Sequence, residues 1–216
     1  MDHAWAVPLQ KLTPDRRREL TRTALVEAAA EVFTRRGFHA ASLDEIAQAA
    51  GFTRGAIYSN FGGKEDLLMA VLDLYTEQQL EAFGRAIDLG GGEPSEVRQE
   101  AAAAVWAATQ REQNLAALSL ELRLFAVRNP EFRKRLAQSE RHQQERIAAF
   151  IAEVAGREGR KVPVEEIDLA YMLRAFSDGL SQIRAVDADN GAYYDKIAAF
   201  FFGMIERTMT EGSVNE

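Results

Sequence analysis

Cysteine is absent from this chain, which excludes disulfides and thiolate metal sites and agrees with a reducing compartment. The histidines, His3, His39 and His142, form no pair with metal-ligand spacing, and neither a serine-containing nucleophile motif nor a glycine-rich phosphate loop is found. No catalysis, no metal and no cofactor are therefore expected. No stretch reaches the roughly 18 consecutive apolar residues of a membrane span, and Met1 to Pro14 lacks the apolar middle of a signal peptide. A cytoplasmic protein with no membrane partner is the expectation. With five prolines, 27% charged and 47% hydrophobic residues, the 216-residue chain is neither disordered nor fibrous and can bury a core. Alternating strand patterns are missing after about residue 74, so the expected class is all-α.

The run Ser42 to Leu68, SLDEIAQAAGFTRGAIYSNFGGKEDLL, reads as two short helices joined by a glycine turn, with a third helix following at once. Ser42 is a suitable N-cap, with Glu45 placed to complete a capping box, and Leu43, Ile46, Ala47 and Ala50 form an apolar stripe. Gly51 ends that helix where the backbone needs a positive φ. Thr53 offers a second N-cap. Ala56, Ile57 and Phe61 make one face of the next helix, Arg54, Ser59 and Asn60 the other, and Tyr58 the border. Small residues at its start, Gly55 and Ala56, let such a helix press its N-terminal end into a major groove.

From about Arg17 to Leu72 the chain resembles the DNA-binding domain of the TetR family of bacterial one-component transcription regulators. The resemblance rests on Ala24, Ala28, Ala29, Phe33, Gly37 and Phe38, then Leu43, Ile46, Ala47, Ala50-Gly51, Ile57-Tyr58, Phe61 and Lys64-Glu65-Asp66-Leu67-Leu68. Asn60 stands where many members carry histidine, which alters a phosphate contact, and Gly63 where many carry serine, which weakens the next helix's cap slightly. The resemblance implies a three-helix head joined by a fourth helix to a larger helical effector domain. With facing, it also assigns Thr53 and Lys64 to phosphates, and Arg54, Gly55, Ala56, Tyr58, Ser59 and Asn60 to the groove surface beside the Ser42 cap. Arg54 is the best candidate for a base contact, since arginine pairs with guanine through two hydrogen bonds. The implied function is a homodimeric repressor released from double-stranded operator DNA by a small molecule. An activator, or a helical regulator or adaptor without an inducer, is the alternative.

The charge distribution agrees with docking through one end. Of 26 basic and 33 acidic residues, positions 1–66 hold nine of each, so 67–216 hold seventeen and twenty-four. A neutral head on an acidic body favours approach head first, with strong salt dependence. Lys11 and Arg16-Arg17-Arg18 approach the first helix, either as a solvated tail or as an arm reaching phosphates or the minor groove; Pro14 and Asp15 suit a helix start. The domain reading is an arm over 1–14, a helix-turn-helix domain over 15–63, and a ligand-binding and dimerisation domain of about six helices over 64–216.

In that body, helices are expected from Lys64 to about Leu89, Ser95 to about Gln110, Asn114 to Val127, Pro130 to Gly156, Glu165 to Ala185 and Ala192 to Thr210. The Asn114–Val127 helix carries Leu118 and Leu122 on one side and Leu120, Leu124 and Val127 on another, which predicts burial of both. In the next helix Ser139 and Gln143 interrupt the stripe of Phe132, Leu136, Ile147, Phe150, Ile151 and Val154. Either this is a wet mid-section, or these residues, with His142 and Arg146, face an effector cavity walled by Trp106, Phe125, Tyr171 and Phe176. A largely apolar effector is expected. Arg174 pairs with Asp178 four residues on, or binds an anionic ligand if Asp178 turns away. The last two helices carry glycine within apolar runs, Gly179 beside Phe176, Leu180 and Ile183, and Gly203 beside Phe200, Phe201 and Met204. Close helix approach compensates for such glycines, and the resemblance points to a dimer interface; internal packing in a monomer is the alternative.

Overall fold

The computed structural model describes residues 13–89, 95–112 and 115–211. Among them, α1 (Pro14–Ala40), α2 (Leu43–Ala49) and α3 (Arg54–Asn60) form the head, and α4 (Lys64–Leu89) leads into the body. The body adds α5 (Ser95–Glu112), α6 (Leu115–Arg128), α7 (Pro130–Arg157), α8 (Glu166–Val186) and α9 (Gly191–Thr208). The all-α expectation holds, and the expected ends of the body helices lie within two residues of those observed. One addition is a two-residue ribbon, β1 (Arg160–Lys161) paired antiparallel with β2 (Thr210–Glu211), too short to show as alternation in the sequence.

Thr13 Oγ1 accepts from Arg16 N at 3.2 Å, and Pro14 takes the first helical position, where its fixed φ is favourable and its missing N–H is not needed. The basic residues Arg16 to Arg18 thus belong to the first turns of α1 and not to an arm, whose residues 1–12 lie outside those described. α1 breaks at Gly37, with φ 77° and ψ 165°, a region essentially restricted to glycine. Phe38 consequently turns inward and its backbone N–H donates to Glu121 Oε2 on α6 at 3.0 Å.

Ser42 Oγ caps α2 by accepting from Glu45 N at 3.1 Å, but the reciprocal half of the capping box is replaced. The Glu45 carboxylate instead pairs with Arg35 and Arg36 of α1, at 3.3 and 3.2 Å, tying two head helices together. Gly51 has φ 74° and turns the chain into α3. Thr53 occupies the N-cap position of α3 without a side-chain capping bond. Seven residues cannot hold a helix alone, so α3 depends on Ile57, fully buried, and Phe61 in the head core.

That core is continuous with the body: Leu25, Phe33, Ile46 and Ile57 of the head pack in one cluster with Leu67 and Val71 of α4, Leu118 and Leu122 of α6, and Phe132 of α7. Complete burial of each large apolar side chain stabilises by about 1.5–3 kcal/mol. A second cluster joins Trp106, Leu180, Tyr194 and Ala198 with Phe83 and Phe202 at the far end. The outer face of α6 departs from expectation. Leu120, Leu124 and Val127 are exposed, because α1, α4, α7 and α8 cover only the side bearing Leu118 and Leu122.

Candidate nucleic-acid interface and internal cavity

The buried Ile57 and Phe61 anchor α3 so that Thr53, Arg54, Gly55, Tyr58 and Ser59 are exposed together, while Ala56 and Asn60 are half-buried. Arg54 is held from two sides: Nη1 pairs with Asp44 Oδ2 and Nη2 donates to the Tyr58 hydroxyl, both at 3.1 Å. The Tyr58 hydrogen bond and then the Asp44 charge raise the Arg54 pKa above the ordinary guanidinium value, and the side chain remains in solvent. Ser59 Oγ and Asn60 Nδ2 both donate to Ala56 O, at 3.0 and 2.8 Å, so Asn60 turns back on its own helix. Arg22 of α1 donates to Asn60 O at 3.3 Å and lies 4.4 Å from the Phe61 ring centroid, fixing the end of α3. Arg17, Arg18 and Thr21 of α1 border a shallow depression with Ala56, Ser59 and Asn60; motif reading left the two arginines in the approach to the helix and did not single out Thr21.

Lys64, assigned to phosphate from the sequence, is already engaged. Its Nζ donates to His39 O at 3.2 Å and Ala41 O at 2.9 Å and sits 4.6 Å from the Phe38 ring centroid. It closes the carbonyl end of α1. Beside it, Asp66 Oδ2 accepts from Gly62 N at 3.0 Å and pairs with Arg135 of α7, so α7 reaches the turn that ends α3.

The body holds a cavity of about 380 Å³. Leu72, Leu80 and Phe83 of α4, Trp106 of α5, Ile147 and Phe150 of α7 and Phe202 of α9 supply much of its apolar wall. Of the residues proposed from sequence, Trp106, Ser139, Gln143 and Arg174 line it. The others are elsewhere. Phe125 packs between Phe38 and Phe132, with ring centroids 6.4 and 5.2 Å away, at the junction of head and body. His142 is exposed beside Glu145, Arg146 pairs with Glu77 at 3.2 Å, Tyr171 is exposed, and Phe176 stacks on Phe201 at 3.6 Å. On α7, His142 turns to solvent and Arg146 to Glu77 of α4, whereas Ser139, Glu140, Gln143 and Gln144 line the cavity.

The interrupted stripe on α7 is a buried polar network and not a wet mid-section. Gln143 is 7% exposed, accepts from Arg174 Nη1 at 3.1 Å and donates to Asp73 of α4. Gln144, fully buried, donates to Ala170 O and accepts from Arg174 Nη1, each at 3.0 Å, with its amide turned accordingly. Asp178 does not turn away. It meets Arg174 Nε at 3.4 Å and Arg123 Nη2 at 2.5 Å, while Glu140 meets Arg174 Nη2 at 2.7 Å and Arg123 Nη2 at 3.4 Å. Burial works against the Arg123 charge, but Asp178 and Glu140 outweigh it and its pKa lies above the ordinary value. Arg123, Glu140 and Asp73 went unnoticed because each reads as an ordinary surface charge on its own helix; only the fold brings them to Gln143.

Of the proposed interface residues, Gly179, Ile183, Phe200 and Met204 face outward or lie half-exposed. Leu180 is buried in the chain's own second cluster and Gly203 is buried within the chain, so these two do not lie on the open face. Phe176 and Phe201 stack on each other across α8 and α9.

The architecture is that of a helix-turn-helix head that shares its core with a larger helical body. Residues 25–71 match the family model described as bacterial regulatory proteins, tetR family. The HTH-type transcriptional regulator SrpR of Pseudomonas putida is 52% identical over 54 residues, 25% of each chain. The HTH-type transcriptional activator FasR of Mycolicibacterium smegmatis is 39% identical over 70 residues, 32% of each chain. The match thus spans about a quarter to a third of these relatives' length. A solved putative TetR-family transcriptional regulator from Rhodococcus sp. shares the fold beyond the head, with a TM-score of 0.65 at 19% identity, covering 87% of this chain and 99% of the other. Residues 25–71 are thus similar to the tetR-family model, and the described chain shares the fold of that solved structure. Among the described residues no helix is long and apolar enough to cross a membrane, and no cluster of metal-ligating residues occurs.

Proposed function

We propose that this protein is a homodimeric transcription regulator that binds operator DNA through α3, most simply as a repressor, and is released by a small molecule held in the body cavity. The observation that carries the DNA reading is the pairing of a buried face, Ile57 and Phe61, with an exposed one, Arg54, Gly55, Tyr58 and Ser59, on a helix whose cation is already oriented. Arg17, Arg18 and the Arg54 guanidinium supply the positive charge that phosphates and a guanine edge require. Its role is binding, without catalysis.

Dimerisation is supported by two apolar seams at alternating spacings of four and three: Met172, Phe176, Gly179, Ile183 and Val186 on α8, and Tyr193, Ile197, Phe200 and Met204 on α9. Ile183 is 56% and Phe200 65% exposed, which is unfavourable unless another surface covers them. A two-fold axis through these helices presents two heads to inverted half-sites. The effector acts through α4, which lines the cavity with Leu72, Thr76 and Phe83 and is bonded to Gln143 through Asp73. A ligand shifts the heads only by its differential affinity for their two spacings. FasR is named an activator, which favours activation as the second reading of the regulatory sign. Electrophoretic shifts with DNA from the protein's own promoter region, at fixed salt, test the proposal; absence of a salt-sensitive shift refutes DNA regulation. Reporter expression with and without the gene gives the sign.

A further inference from the structure

The geometry points to Asp44 as a positioning residue for base recognition: its carboxylate aims Arg54 at one base pair and keeps that arginine from settling on a phosphate. The inference rests on the proposed DNA-binding role of α3 and concerns how that surface becomes selective.

Asp44 lies in the first turn of α2 and Arg54 opens α3, with the Gly51 turn between them. Of the two acids that open α2, Glu45 turns to Arg35 and Arg36 of α1, whereas Asp44 Oδ2 meets Arg54 Nη1 at 3.1 Å. Arg54 Nη2 donates to the Tyr58 hydroxyl at 3.1 Å, and the guanidinium carbon stands 5.6 Å from the Tyr58 ring centroid. The arginine is therefore fixed from two helices at once, by Asp44 of α2 and by Tyr58 one turn along α3.

Both members of the ion pair remain in solvent, Arg54 52% and Asp44 68% exposed, where such a pair adds little to folding stability. Its consequence lies at the DNA surface instead. An unrestrained arginine is satisfied by any phosphate, a contact that carries no sequence information. Held by Asp44 and Tyr58, Arg54 still has an N–H to spare on each terminal nitrogen, and a guanine edge accepts two through O6 and N7. The Asp44 charge repels a phosphate approaching the same guanidinium, and exclusion of water on docking strengthens both effects.

The test applies competition shifts to the full-length protein, with an operator fragment from its own promoter region and single-base variants of that fragment, at several salt concentrations. Arg54→Ala first identifies the base position that this side chain reads. Asp44→Ala should lower discrimination at that position by at least about threefold and leave the other positions unchanged. With Arg54 free to take a phosphate, affinity for unrelated DNA should rise, and its slope against log salt should steepen by about 0.9, the increment of one added phosphate contact. In the Arg54→Ala background the same substitution should do neither. Asp44→Ser, whose side chain is too short to reach Arg54, should reproduce the result where the alanine variant does not fold. A uniform loss at every position would make Asp44 a support for the start of α2 through its charge, and overturns the inference. Unchanged discrimination, an effect that persists without Arg54, or an Arg54→Ala variant with no base position of its own overturns it too. Wild type without salt-sensitive binding refutes the DNA reading and the inference with it, whereas the preceding outcomes refute the inference alone.

Discussion

The contact between Glu121 and the Phe38 backbone joins the body to the head by a single charge-assisted bond, and its removal should be measurable. Phe38 is 2% exposed, and its N–H donates to Glu121 Oε2 at 3.0 Å just after the Gly37 break. Hydrogen bonds to charged groups contribute about 1.5–3 kcal/mol, and an unpaired buried donor costs about 1–3 kcal/mol. Glu121 is itself half-buried, so water partly replaces it and the lower half of the range applies. Glu121→Ala should therefore lose about 1.5 kcal/mol in urea unfolding followed by far-ultraviolet circular dichroism. Glu121→Gln retains an accepting oxygen and should lose less than about half of that. The Phe38 amide should exchange hydrogen faster in the alanine variant than in wild type. An alanine variant within about 0.3 kcal/mol of wild type, with an unchanged Phe38 exchange rate, would refute the coupling.

Gly37→Ala should destabilise by about 1–2 kcal/mol in the same assay: φ 77° and ψ 165° are strained for alanine, whereas the added carbon has room, its nearest neighbour being Glu121 Oε1 at 3.7 Å. Arg54→Ala should reduce discrimination at one base position by about 1–3 kcal/mol in competition shifts; a uniform loss over all sequences would make Arg54 a phosphate contact. Ile183→Asp should convert the proposed dimer to monomer in light scattering without lowering helix content, since Ile183 is 56% exposed within the chain. The Asp187 carboxyl is held below its ordinary pKa by the Tyr194 hydroxyl and then Asn190, so its contribution to stability is present above its unfolded value of about 4 and disappears as pH falls through the lower folded value. Asp187→Asn should thus flatten the acid limb of melting temperature against pH, and an unchanged limb counts against the assignment.

The head was largely legible because its signals are local. Ser42 and Gly51 mark ends that any backbone must satisfy, and Ile57 with Phe61 has the spacing of a buried face. What escaped was each competition among polar groups. Glu45 has two possible partners in sequence terms, its own N-cap and the basic pair Arg35-Arg36, and only the approach of α1 selects the latter. Lys64 likewise meets the carbonyl end of α1 before any phosphate. In the body, helix boundaries followed periodicity, but two apolar faces on α6 could not say which neighbours exist to cover them. Gln143 was visible as an interruption; its partners, Arg174 from α8 and Asp73 from α4, lie 31 and 70 residues away in the chain.

These polar contacts also bear on how small a ligand effect suffices. α4 runs for 26 residues, about 39 Å, from the head core to the wall of the cavity, and α7 grips it through Arg135–Asp66, Gln143–Asp73 and Arg146–Glu77. The first and last pairs are well exposed on one side, Arg135 at 53% and Glu77 at 58%, where such pairs contribute about 0–1 kcal/mol. Only the middle contact has a buried member, Gln143, and it belongs to the cavity network. A ligand that reorganises Arg174 and Gln143 therefore acts on the strongest of the three holds, while the other two exchange partners at little cost. In the proposed mechanism a differential affinity of about 1–3 kcal/mol, ordinary for coupled sites, is then enough to re-aim α4. A Gln143→Leu variant should bind operator DNA while losing most of its response to ligand, because the buried hold would no longer report the state of the cavity. Retention of the full response would place the coupling in the apolar wall of α4, at Leu72, Leu80 and Phe83, and not in the polar chain.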